Sequence, residues 1–140
     1  MRFAVVVLFL GLAACGHNNS PIVGTWFVKT PEAPFPYHMF VFHSDGTVQQ
    51  ANPDAGNANT SDSNGMGVWA AEGDGIKGKF VEITADRSTH QFVSRGEISF
   101  SIKVNDDIFS GTASANFFDA GGRRLREPLR ATLEGQRVVP

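Results

Sequence analysis

The clearest pattern in the chain is an alternation of apolar and polar residues between Phe92 and Val104. The even positions are mostly apolar, whereas the odd positions from Arg95 to Lys103 are polar. A period of two is typical of a β-strand that has one face against a core and one face in water. A strand of this length usually bends, and Gly96 is the position where we expect the bend.

Seven further stretches have strand character, and turn signals such as Asp-Gly and Gly-Gly separate them. The pattern therefore predicts eight strands, at 23–29, 37–43, 47–50, 66–72, 77–85, 92–104, 108–119 and 124–138. Their linkage by consecutive hairpins favours an all-β, up-and-down antiparallel barrel over a sandwich. The stretch 52–64 is rich in Asn, Asp, Ser and Ala and predicts a mobile loop, either disordered or a lid over a site.

The first residues predict a targeting segment rather than part of the fold. Arg2 precedes an apolar run from Phe3 to Leu12, which is too short to span a bilayer. The run ends in Leu12-Ala13-Ala14-Cys15, which resembles the lipobox of bacterial lipoproteins. The alternative is an ordinary secretory signal that happens to contain a cysteine. Cys15 is the only cysteine of the chain, so the exported domain has no internal disulfide.

The lipobox resemblance implies that residues 1–14 are a lipoprotein signal peptide and that Cys15 carries acyl chains such as palmitate. Residues 15–21 are then a lipidated polar tether, and residues 22–140 form the barrel domain. Several acyl chains hold a protein firmly on a membrane. We therefore expect a lipid-anchored protein of the bacterial cell envelope. Gly16 rather than Asp follows the cysteine, which by resemblance to Gram-negative lipoproteins favours the outer membrane if the host is Gram-negative.

Charge and histidine content narrow the classes of partner. The formal net charge of −2 gives no electrostatic reason to expect nucleic-acid binding. The histidines are scattered and show no zinc spacing, and Asp106-Asp107 lacks the spacing of an EF-hand. We therefore expect no nucleic-acid partner, no metal and no cofactor. We also expect the protein to be a monomer.

Two distant parts of the chain carry a second resemblance. Gly24-Thr25-Trp26 on the first predicted strand and Arg137 on the last resemble the signature of the calycins, the lipocalin-type barrels. In that family the indole of Gly-x-Trp closes one barrel end and a C-terminal Arg stacks across it, a cation–π contact. The chain is shorter than a typical lipocalin and lacks its C-terminal helix, so it is more similar to small calycin-like barrels, including allene-oxide-cyclase-like ones. The matched residues are structural and imply no particular activity.

Candidate functional residues fall into three groups. An eight-stranded barrel is either filled by side chains or holds one small ligand, so five aromatic residues belong either to a ligand pocket or to a filled core. They are Phe40, Phe42, Trp69, Phe100 and Phe117. His38, Tyr37 and Glu127 are weak candidates for acids or bases, and for His38 and Glu127 the sequence favours a position at the barrel end or the surface. The basic cluster Arg123, Arg124, Arg126 and Arg130 either meets anionic lipids or a partner, or is a solvated edge.

These observations favour a membrane-anchored lipoprotein whose small barrel binds an apolar or amphipathic small molecule. An isomerase or cyclase on the same barrel is the second hypothesis. An envelope protein-interaction module with a filled barrel is the third. Of these three classes, the sequence favours one without enzymatic activity.

Overall fold

The computed structural model describes residues 19–140, and within that range every regular element is a β-strand. The nine strands are β1 Gly24–Lys29, β2 Tyr37–Phe42, β3 Thr47–Ala51, β4 Thr60–Asp62, β5 Gly65–Glu72, β6 Gly75–Asp86, β7 Phe92–Asn105, β8 Ile108–Phe118 and β9 Leu129–Arg137. Their order in the sheet is β4-β6-β5-β3-β2-β1-β9-β8-β7, and β7 pairs with β6 to close the circuit.

Eight strand positions make up the barrel, because β4 and β5 follow each other along the same partner. β4 pairs with the end of β6, and β5 pairs with its first half. Every pairing is antiparallel, and six of the nine join strands that are consecutive in the chain. The prediction of an all-β, eight-stranded, up-and-down antiparallel barrel is therefore confirmed. The circuit closes within residues 24–137, so the described residues contain a complete barrel.

Two predicted boundaries are wrong. The stretch 52–64 is not one loop, since Thr60–Asp62 forms β4. Ahead of β4, the Asp54 carboxylate accepts hydrogen bonds from the Asp62 backbone at 2.8 Å and the Ser61 hydroxyl at 3.0 Å. The last strand begins at Leu129 rather than at 124, because Pro128 has no N–H to donate to a ladder. Only an isolated bridge joins Arg124 to Phe118.

The bend expected at Gly96 stays a prediction, because the pairing register does not measure it. The pairing of β6 and β7 does contain one irregularity. The register of β6 and β7 continues unbroken past Gly96 and shifts between Thr84 and Ala85. Such a shift marks a β-bulge, which bends the strand and increases its twist.

Large side chains fill one end of the barrel interior. Trp26 is fully buried there, its Nε1 donates to the Ile22 carbonyl at 2.8 Å, and its ring lies 5.0 Å from that of Phe109. The guanidinium carbon of Arg137 lies 4.2 Å from the Trp26 ring. Phe42, Trp69 and Ile102 pack into the same core. We refer to this end as the closed end.

Candidate functional site

A cavity of about 540 Å³ occupies the other end of the barrel. The side chains of Phe40, Phe80 and Leu133 line it and also belong to the hydrophobic core, so they form its floor. Thr30, just after β1, also lines the cavity. β1 therefore runs from the closed end to the cavity.

One wall of the cavity is apolar. β8 contributes Ala113, Ala115 and Phe117, and β9 contributes Leu129 and Ala131. Ala113 and Ala131 are directly paired, as are Ala115 and Leu129. Alanine side chains on two adjacent strands leave volume that a larger side chain would fill. The short residues on β8 and β9 thus explain why this end is hollow.

The opposite wall is polar. It is formed by His38 on β2, Gln50 on β3, Asp62 on β4, Glu82 and Thr84 on β6, and Ser94 on β7. Asp62, Thr84 and Ser94 form one row across three strands, because Thr84 is the pairing partner of both of the others. Glu82 precedes Thr84 by two residues and therefore points to the same side of the sheet. We refer to these side chains as the polar wall.

Glu82 is the most unusual group of the polar wall. It lies across from Gly96, where a Cβ would come within 3.1 Å of the Glu82 Oε1. The missing side chain at Gly96 therefore leaves room for the carboxyl group. Burial and the nearby charge of Asp62 raise the pKa of Glu82 to about 7. A hydrogen bond from Asn52 opposes this shift, because it stabilises the charged carboxylate. Near neutral pH, Glu82 is present in both its protonated and its charged form.

Burial and the contact with Gln50 favour the neutral form of the His38 imidazole. The Gln50 Oε1 accepts from the Gly65 N–H at 3.2 Å, so the amide nitrogen of Gln50 faces His38 and lies 2.9 Å from its Nδ1. An amide N–H donates to a ring nitrogen that has no proton, which puts the proton of the imidazole on Nε2. Burial lowers the pKa of His38, although a hydrogen bond to the Phe35 backbone opposes the shift.

The five aromatic residues named from the sequence divide between cavity and core. Phe40 and Phe117 line the cavity. Phe42, Trp69 and Phe100 pack in the core instead, with the Phe42 ring 6.3 Å from Trp69 and 5.9 Å from Phe100. The alternatives of a pocket and a filled core thus each describe part of the barrel. Ligand contact by these residues stays a prediction.

The three candidate acids or bases lie in different places. His38 lines the cavity. Tyr37 is half-exposed, and its ring stacks on Phe27 at 5.5 Å on the outer surface. Glu127 is exposed and precedes β9. Their catalytic roles remain predictions, and Cys15 lies outside the described residues.

Two of the four arginines in the basic cluster line the cavity, and two do not. Arg126 and Arg130 line the cavity, and the Arg126 guanidinium lies 4.0 Å from the Phe117 ring. Arg123 pairs with Asp119 at 3.1 Å, and Arg124 is exposed.

Sequence reasoning missed most of the polar wall. Glu82 and Thr84 lie in the same alternation as Ile76 and Phe80, so continuing that pattern would have placed both on the inner face. Asp62 carried no such signal, because it lies in the stretch taken for a loop.

Fold and site together define a small antiparallel β-barrel with a hollow amphipathic end, consistent with a calycin-like architecture. Comparisons of the chain with models of known protein families, with curated proteins and with solved structures find no match. Across residues 19–140, no group of three or more His, Cys, Asp and Glu residues is placed to hold a metal ion. In the same range there is no helix that is long and apolar enough to cross a membrane.

Proposed function

We propose that the protein is a membrane-anchored lipoprotein whose barrel binds an apolar or amphipathic small molecule. The observation that carries the proposal is the cavity of about 540 Å³ with an apolar wall and a polar wall. Ligand sites in proteins are typically concave spaces of roughly 300–1,000 Å³, mostly apolar with a few polar groups that fix the orientation of the ligand. The cavity has this size and this composition.

The position of the tether supports ligand exchange. The chain reaches the barrel at its closed end, where Trp26 donates to the Ile22 carbonyl and Arg137 donates to the Pro21 carbonyl. The cavity lies at the other end. An anchor at Cys15 would therefore leave the cavity mouth free to face away from the membrane to which the protein is attached.

An isomerase or cyclase on the same cavity is the second candidate, and Glu82 is the observation that favours it. A general acid or base works best when its pKa lies near the operating pH, and the pKa of Glu82 is about 7. His38 is less suited to act as a base at Nδ1, because that atom already faces the Gln50 amide at 2.9 Å. The hollow end gives no support to an interaction module with a filled barrel.

Native mass spectrometry of residues 16–140, purified from cells of the source organism, tests the binding proposal. We expect an excess mass that is lost on denaturation, and its value would identify the class of ligand. Conversion of that ligand during incubation would favour the enzyme instead. A clean apo mass, together with no uptake of N-phenyl-1-naphthylamine, would contradict ligand binding.

A further inference from the structure

Two carboxyl groups converge on the polar wall. Asp62 on β4 pairs with Thr84 on β6, and Glu82 is the next residue on the same face of β6. Both side chains line the cavity, and the charge of Asp62 acts on Glu82. Two acids side by side in a partly buried space destabilise each other unless a cation or a hydrogen-bond donor lies between them.

No cation of the described residues compensates these acids. None of the ion pairs within residues 19–140 includes Glu82 or Asp62. The other titratable residues that line the cavity are Glu32, His38, Arg126 and Arg130. Glu32 accepts hydrogen bonds from Thr132, and burial lowers the pKa of His38. Arg126 lies on Phe117, and Arg130 takes part in none of the ion pairs within residues 19–140.

Glu82 accepts a hydrogen bond from the Asn52 side chain, but other acceptors of the same wall have no donor. The Asp62 Oδ1 accepts from the Thr84 hydroxyl at 2.6 Å, but its Oδ2 accepts no hydrogen bond from the described residues. Ser94, next to Thr84 in the same row, is only 6% exposed and lines the cavity. Its hydroxyl has no hydrogen-bond partner in this part of the chain. Ser94 lines the cavity and its Oγ is not among the fully buried polar atoms, so the hydroxyl is open to a polar group bound there.

From this arrangement we infer that Glu82, Asp62 and Ser94 form a subsite for an organic ammonium group, and that the ligand of the cavity is an amphipathic amine. An ammonium group has three N–H donors, and the polar wall offers it two carboxylates and one hydroxyl. The apolar part of the amine packs against Ala113, Ala115 and the neighbouring side chains of β8 and β9. The inference rests on the proposed function and specifies its ligand class.

Calorimetric titration of residues 16–140 with three probes that share one alkyl chain tests the inference. The probes are decylamine, decanol and decanoate, each used below its micelle concentration. At pH 8, where Glu82 is charged, we expect decylamine to bind most tightly. Glu82→Gln and Asp62→Asn should each weaken decylamine binding by about tenfold or more, since hydrogen bonds to charged groups are the strong ones. Decanol binding should be unchanged.

Controls separate a local effect from a loss of fold. Glu134→Gln removes an exposed acid on the outer face of β9 and should leave every affinity unchanged. The wild-type protein gives a second readout, because lowering the pH from 8 to 5.5 protonates Glu82 while decylamine keeps its charge. Decylamine binding should weaken over that range, and less so in Glu82→Gln. If Glu82→Gln does not fold, Asp62→Asn and the pH series of the wild-type protein still test whether the carboxyl groups bind the ammonium group.

Each contrary result has a distinct meaning. Equal affinity for decylamine and decanol, unchanged by Glu82→Gln, would overturn the ammonium subsite and leave the binding proposal intact. Tightest binding of decanoate, lost in Arg126→Gln, would show that the cavity selects anions through its arginines. Binding of none of the three probes would count against the proposed function as well.

Discussion

Arg137 lies directly across from Trp26 in the pairing of β1 and β9, with its guanidinium carbon 4.2 Å from the indole ring. The same guanidinium donates to the Asp107 carboxylate at 2.9 Å and to the Val23 carbonyl at 3.0 Å. One side chain therefore joins the first strand, the last strand and the turn after β7. Gly24 has a φ of +134°, and a Cβ there would lie 2.9 Å from the Arg137 Nη1. Glycine at this position therefore allows the positive φ and leaves room for the guanidinium of Arg137.

We expect Arg137 and Trp26 to stabilise the barrel as a coupled pair. Arg137→Ala should lower the free energy of unfolding by about 2–3 kcal/mol, because it removes a cation–π contact and several hydrogen bonds. Trp26→Ala should cost about 3–5 kcal/mol through the cavity it leaves. The double variant should lose at least about 0.5 kcal/mol less than the sum of the two.

Urea denaturation of the three variants measures this coupling. Arg123→Ala is the matched control, because Arg123 is exposed and pairs only with Asp119, and its effect should stay within about 0.5 kcal/mol. Effects of Arg137→Ala and Trp26→Ala that simply add would show that the closing contact contributes nothing of its own.

Glu82 should make the stability of the barrel depend on pH. Its pKa in the folded state, about 7, lies above the ordinary value of 4.5. The folded state therefore holds a proton that the unfolded state has lost, and the free energy of unfolding falls as the pH rises from 4.5 to about 7. The full shift corresponds to at most about 3 kcal/mol. Glu82→Gln should therefore raise the stability at pH 8 and change it little at pH 4.

Denaturation curves of the wild type and of Glu82→Gln between pH 4 and pH 8 measure this effect. His38 acts in the opposite sense, because its lowered pKa makes protonation unfavourable in the folded state below about pH 6.5. The difference between the two proteins isolates Glu82, since His38 is common to both. Parallel curves across the whole range would contradict the raised pKa.

The barrel was predictable from sequence because period-two alternation is a local property of each strand. Phe92 to Val104 shows its inner and outer faces directly, and turn residues mark the ends of most strands. The polar wall was not predictable in the same way. Asp62, Glu82 and Ser94 come from three strands, and only the pairing register brings them together. In the sequence alone, a polar residue on an inner face of one strand carries no information about which polar residues of other strands lie beside it.

The division between filled core and cavity also depends on register. The sequence does not distinguish Ala113, Ala115 and Ala131 from other small residues of a strand. They leave a space because β8 and β9 place them side by side. Phe42, Trp69 and Phe100 lie on the inner face as well, but they pack against one another in the hydrophobic core and leave no space there.

The proposed membrane anchor depends on Cys15, which lies outside the described residues. We expect the protein expressed in its own host to incorporate labelled palmitate and to sediment with the membranes. Cys15→Ser should abolish the labelling and release the protein into the soluble fraction, since a lone apolar signal of this length does not anchor a mature protein. A serine variant that stays in the membrane fraction would point to another mode of attachment. Wild-type protein without label would point to an ordinary secretory signal.

Filling the apolar wall should abolish ligand binding without unfolding the barrel. Ala115 on β8 lines the cavity and faces Ile98 and Leu129 on its two neighbours. In Ala115→Phe the new ring can enter existing empty space, so we expect a change in stability of less than about 1.5 kcal/mol. Uptake of N-phenyl-1-naphthylamine, followed by fluorescence, should fall by about tenfold or more, because the ring and the probe compete for the same volume. Ala70→Phe adds the same ring to the exposed face of β5 and should leave uptake unchanged. Unchanged uptake in Ala115→Phe would place the probe on the outer surface rather than inside the barrel.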